Sequence, residues 1–101
     1  MDTVEITLAD EVLVLRPTLE AAMLVDSRFG GYSAAFQSLL GHSLDAMVGI
    51  VAAGSGKSIN TALREKVYAK GVRNLVAPLS QYLTLLLNGG RRPEDETAEG
   101  K

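Results

Sequence analysis

The stretch NLVAPLSQYLTLLLNGG, residues 74–90, decides how the rest of the chain is read. Leu75, Leu79, Tyr82, Leu83 and Leu86 fall on one face of a helix of period 3.6. Ala77, Gln81, Thr84 and Asn88 form a narrow, uncharged opposite face, and Val76, Leu85 and Leu87 widen the apolar arc. A helix over about 75–87 that is mostly covered by neighbours is therefore expected. Either Asn74 caps its N-terminus with a side-chain oxygen, or Pro78 occupies the first helical position, where a missing N–H costs least. Asn88, Gly89 and Gly90 end it, since glycine enters the left-handed region without a Cβ clash. The apolar run is far short of the ~20 residues that a bilayer span needs, and Ser80, Gln81 and Thr84 interrupt it. The pattern is that of a core helix.

At 101 residues the chain is long enough for one modest core and too short for two, so residues 1–90 are expected to form a single domain. Apolar residues make up 47% and charged residues 22%, values that exclude a wholly disordered chain. No cysteine is present, which removes disulfides and thiolate metal sites. The opening MDTVEITLADE carries neither a basic nor an apolar signal region, so a cytoplasmic protein is expected. Charge is uneven. Residues 1–31 hold Asp2, Glu5, Asp10, Glu11, Glu20 and Asp26 against Arg16 and Arg28, whereas residues 32–90 hold Asp45 and Glu65 against Lys57, Arg64, Lys66, Lys70 and Arg73. An acidic end and a mildly basic end are predicted.

Val4, Ile6 and Leu8 alternate with polar residues, as in a half-buried strand, and residues 12–16 read as a second strand, giving a hairpin over 3–16. A two-residue turn at Asp10-Glu11 sets Leu8 against Leu13, Ile6 against Leu15 and Glu5 against Arg16. A three-residue loop would turn a different face inward. Thr18 caps a helix over about 19–28 with Leu19, Ala22 and Met23 inward, stopped by Gly30-Gly31. Ser33 caps a short helix over 34–40. Ser43 caps a third over 44–53, with Leu44, Met47, Val48 and Val51 as its stripe. A fourth, over 60–70, buries Leu63 and Val67. Residues 91–101, RRPEDETAEGK, contain no large apolar residue and are expected to be a disordered tail. The fold class is α+β, mostly α: an N-terminal β-hairpin followed by a bundle of four to five short helices.

Catalytic and ligand-binding readings are weak. GSGKS at residues 54–58 resembles the end of a phosphate-cradling P-loop, but Val51 stands where that motif needs its first glycine, and a helix pattern precedes it in place of a buried strand. An inter-helix loop is the expected reading. Arg64, Lys66, Lys70 and Arg73, with Lys57, could form an electrostatic patch for nucleic acid, yet no aromatic is placed to stack on bases. The solvated face of an amphipathic helix is preferred, and a patch for an acidic protein remains an alternative. His42 has no nucleophile or second ligand beside it in sequence and reads as a loop residue. No catalytic residue, cofactor site or metal site is assigned, and the chain is expected not to be an enzyme.

Met23, Met47, the double-faced second strand and the broad arc of the last helix are more apolar than a small bundle easily buries. All of it as core, or part of it as a homo-oligomer interface or a groove for partner helices, are the two alternatives. The hairpin leading into LVLRPTLEAAMLVDSRFGG (13–31), LLG (39–41), GIVAAGSG (49–56) and GVRNLVAPLSQYLTLLLNGG (71–90) together resemble the gene-transfer-agent tail protein ten family of long-tailed phages and prophages, regarded as tail assembly chaperones. That family tends to carry a glutamate where this chain has Asp26. The resemblance implies a chaperone that keeps the long, helical tape-measure protein soluble and passes it to tail-tube subunits. A minor structural tail component is the second implied role. Such work calls for apolar grooves of modest affinity. Val12 and Val14 on the free face of the hairpin, and Leu79, Leu83 and Leu86 on the last helix, are the candidate partner-binding residues.

Overall fold

In the computed structural model, which describes residues 2–92, the N-terminal alternation becomes two antiparallel strands, β1 (Val4–Leu8) and β2 (Glu11–Leu15). The two-residue turn is Ala9-Asp10, not Asp10-Glu11. Leu8 faces Glu11, Ile6 faces Leu13, Glu5 faces Val14 and Val4 faces Leu15. The register is thus slid by two residues from the expected one, and Glu5 does not oppose Arg16. Because the slide is even, the same side chains still point inward. Two effects favour it. Ala9 takes φ 56, the positive value that a hairpin turn compatible with strand twist needs at its first central position. Glu11, moved from turn to strand, then reaches Lys57 and Lys66 with its two carboxylate oxygens, at 3.3 and 2.9 Å.

Five helices follow: α1 (Leu19–Phe29), α2 (Tyr32–Leu40), α3 (Leu44–Ser55), α4 (Thr61–Lys70) and α5 (Val72–Leu87). The fold is therefore α+β, mostly α. Thr18, Ser43 and Asn60 each accept the backbone N–H three residues on, capping α1, α3 and α4. Ser33 caps nothing. Helix α2 already begins at Tyr32, whose hydroxyl donates to the Ala22 carbonyl at 2.7 Å and ties it to α1. Helix α5 starts at Val72, so neither Asn74 nor Pro78 marks its N-terminus. Gly71, at φ 94, turns the chain from α4 into α5 and leaves room for one continuous helix. Pro78 removes one intrahelical bond, to the carbonyl of Asn74, a residue exposed to water. Residues 93–101, most of the expected tail, lie outside the described residues.

Helix α3 is the centre of the packing. Its sequence is apolar almost all round, beyond the stripe expected for it, and Ala46, Met47, Val48, Gly49, Ile50, Val51, Ala52 and Gly54 are all buried. Strand β2 lies against α3 and β1 against α4 and α5, while α1 and α2 cover α3 and α5. Val4, Ile6, Leu8, Leu13 and Leu15 meet Leu75, Leu79, Tyr82, Leu83 and Leu85 in one core. Each fully buried leucine there contributes about 1.5–3 kcal/mol relative to exposure.

The junction between β2 and α1 fixes these layers. The Arg16 N–H donates to the Gly54 carbonyl at 3.0 Å, and the Tyr82 hydroxyl donates to the Arg16 carbonyl at 2.7 Å. Gly54 is bare by necessity: a Cβ there would stand 2.9 Å from the Tyr82 ring and 3.0 Å from Cβ of Leu15. Gly54→Ala should therefore destabilise the fold by about 1–3 kcal/mol through overpacking. Tyr82→Phe should cost about 0.5–1.5 kcal/mol by removing that hydrogen bond, while the Arg16 carbonyl keeps the Thr18 N–H at 2.9 Å. Burial, and secondarily Tyr32, hold the Tyr82 phenol above its ordinary value of 10.0. The unfolded chain thus loses this proton first, and stability should fall as pH rises above about 10. Urea unfolding followed by circular dichroism across that range checks both points, with Tyr82→Phe showing lower stability at neutral pH and a shallower alkaline decline.

Candidate functional site

The side chains singled out for partner binding divide into two sets. Leu79 and Leu83 are fully buried and Leu86 is only 7% exposed, so the stripe of α5 is core and offers no docking surface. The reason is the cover given by β1 and α2, which occupy the face that α5 would present. Met47 is likewise buried. Val12 is 58% exposed and Val14 half-buried, on the hairpin face turned away from the helices, with Glu5 and Thr7 opposite them on β1.

Helix α1 is rotated from the expected orientation. Ala21 and Val25 face the core with Phe29 partly covered, while Leu19 and Met23 are 79% and 58% exposed. A ladder of i, i+4 spacing runs through Ala21, Val25 and Phe29, and it is this one that packs on the core, with Ala22 partly buried beside it. Helices α1 and α3 are in contact, and at Gly49 the Arg28 side chain lies across the glycine and ion-pairs with Asp45 at 3.0 Å. Beside it run two adjoining cavities of about 240 and 320 Å³ that share Leu24, Ala52, Ala53 and Lys57. Ile59 closes one of them and Arg16 and Glu20 line the other. Leu24 and Ile59, the apolar rims of this groove, were not singled out by sequence. Leu24 stands among Met23 and Val25 and Ile59 in a polar loop, so neither is marked out until the fold brings α1 and the 56–60 loop together.

The basic set does not form one face. At ~100° per residue, Arg64 lies about 160° around α4 from Lys66. Arg73 belongs to α5. Lys66 is committed to Glu11, as is Lys57. The acidic and basic halves of the sequence thus partly neutralise each other across the hairpin tip. The GSGKS segment has the wrong polarity for a phosphate cradle. Gly54 and Ser55 belong to α3, and Gly56, at φ 78, closes its C-terminus, so helix carbonyls face the glycine-rich turn where a P-loop presents N–H groups. Only the residues after it form the inter-helix loop. His42 is exposed at φ 59 in the turn between α2 and α3, donating its backbone N–H to the Leu39 carbonyl. Among the described residues no group of acidic or histidine side chains is arranged to hold a metal ion, and no helix is long and apolar enough to cross a membrane.

Glu11 is the electrostatic hub at the hairpin tip. The hydrogen bond from Lys66, then that from Lys57, holds its carboxyl below the ordinary value of 4.5. A depressed folded-state pKa adds stability above the unfolded value, and that contribution disappears as pH falls through the folded value. Thermal unfolding of the native chain and of Glu11→Gln should therefore differ at neutral pH and converge in acid below about 4.5. The gap should be small and narrow further in high salt, since the site is exposed.

Set beside known proteins, the chain matches no protein-family model, no curated protein and no solved structure.

Proposed function

We propose that the chain is a phage, prophage or gene-transfer-agent tail assembly protein, a non-enzymatic chaperone acting in the host cytoplasm. It holds the helical tape-measure protein in soluble form and helps recruit tail-tube subunits. The role comes from the family resemblance of the sequence. The observation that supports it is the free outer face of the hairpin, where Val12 stands 58% exposed beside half-buried Val14 on a sheet whose other face is anchored in the core. Such a face is small, with two valines beside Glu5 and Thr7, and is held in place by the core beneath it. It suits weak, repeated contacts with many similar helices better than one tight complex.

A nucleic-acid-binding module using residues 60–73 is the alternative, and it is disfavoured because Lys66 is already engaged by Glu11 and Arg64 points elsewhere. A minor structural tail component shares the same surface and differs in remaining in the particle.

Co-expression with the adjacent tape-measure protein tests the proposal. The native chain should keep that partner soluble and co-purify with it at both low and high salt, because apolar burial resists screening whereas phosphate contacts weaken steeply. Val12→Asp, at an exposed position, should fold normally yet lose most of the co-purified partner. A partner that precipitates regardless rules out the chaperone role, and a complex lost at high salt but untouched by Val12→Asp points to the basic alternative.

A further inference from the structure

The groove between α1 and α3 carries a charge pattern that is its own complement. Along the exposed side of α1, Glu20, Leu24 and Arg28 follow one another at i, i+4 and i+8, on a single row of the helix surface. Glu20 and Leu24 line one cavity, Leu24 and Arg28 the other, over a floor of Ala52 and Ala53. Leu24 is 51% exposed between the two charges, and Met23 beside it is 58% exposed.

The geometry points to a two-fold dimer in which α1 packs antiparallel on α1 of a second copy, with the axis beside Leu24. A two-fold there sets the two Leu24 side chains against each other and brings each Glu20 beside the Arg28 of the other copy. Two ion pairs thus flank one apolar centre, in an isologous arrangement of the commonest oligomeric kind.

A second copy fits better than an acidic helix from another protein. Two of the three cations on the rim are not surplus charge. Arg28 already has Asp45 and Lys57 already has Glu11, while Glu20 would repel a uniformly acidic partner. A partner presenting a cation to Glu20 and a carboxylate to the N–H groups of Arg28 that Asp45 does not take matches both ends, and this chain does so in the reverse direction. The surface is separate from the outer face of the hairpin, so the inference stands independently of the chaperone role and is tested without any tail protein.

Helix α1 has 11 residues, about 16 Å of axis, so the contact is small and the dimer should dissociate on dilution. Sedimentation of the full chain over a concentration series should give a mass rising from 10.7 kDa toward twice that value. Glu20→Arg, at an exposed site, should keep the native circular dichroism and shift that rise to at least tenfold higher concentration. The sequence has no cysteine, so Leu24→Cys supplies a single thiol for mild oxidation. It should cross-link into a covalent dimer at concentrations where Leu40→Cys, at another exposed leucine, does not. A mass fixed at 10.7 kDa throughout overturns the inference. So does self-association that Glu20→Arg leaves unchanged, or equal cross-linking of the two cysteine variants.

Discussion

The peptide of Arg16 is held from both sides, and the rest of the structure depends on that grip. Its N–H is taken by the last turn of α3 and its carbonyl by the hydroxyl of Tyr82, in the middle of α5. One residue at the end of a short hairpin thereby orients two helices that are far apart in sequence. An isolated two-stranded hairpin is marginal in water. Here the polar ends of the strand are satisfied by the helices, and its apolar face fills the space between them. Gly54 makes the arrangement possible, because a side chain at that point would occupy the volume of the tyrosine ring. Pro17 follows at once and is buried against Gly90, whose missing side chain admits the Pro17 carbonyl. Start and end of the domain are thus fastened at the same corner.

From that corner the distribution of exposed apolar groups follows. Helix α3 is covered by β2 and by α1, α2, α4 and α5, so its uniform hydrophobicity is largely used. Helix α5 is covered by β1 and α2. Elements at the perimeter, the hairpin and α1, can each bury one side only. Their outer side chains are not polar throughout, and Val12, Leu19, Met23 and Leu24 remain exposed although no buried side-chain polar atom among the described residues lacks a partner. These groups lie outside the core as surface available for contact.

Much of this architecture could be read from the sequence because local signals carried it. Thr18, Ser43 and Asn60 are side chains whose oxygen can reach an N–H three residues on, and the glycines at 30, 56 and 71 adopt backbone angles that other residues avoid. Period-2 and period-3.6 patterns located the strands and all five helices. The failures occurred where two local solutions competed. Pro78 fits a helix start by the usual preference, but the burial of Leu75 and partial burial of Val72 extend α5 across it. Asp10-Glu11 and Ala9-Asp10 are both poor turn pairs, and what favours the second, the positive φ of Ala9 and the ion pairs of Glu11 with Lys57 and Lys66, becomes visible only in the fold. On α1 two i, i+4 ladders are present, Leu19-Met23 and Ala21-Val25-Phe29, and packing against the rest of the fold covers the second. For the candidate surfaces this matters most. A buried stripe and a docking stripe have the same periodicity, so Leu79 and Leu83 were indistinguishable from ligand-binding residues until β1 and α2 were seen to cover them.

The same reasoning limits what kind of partner the exposed groups suit. A broad continuous apolar face, such as α5 would present if uncovered, favours permanent association and aggregation in a small protein. Separate small faces, each on a rigid support, give individually weak contacts that release readily. Two copies joined through α1 would carry two hairpin faces, and a long repetitive helix offers many equivalent sites for them. Binding of one hairpin then raises the effective concentration of the other, so that occupancy can be high while each contact stays weak. Polymerising subunits could displace such a coat one contact at a time, without any step that has to break the whole interface at once.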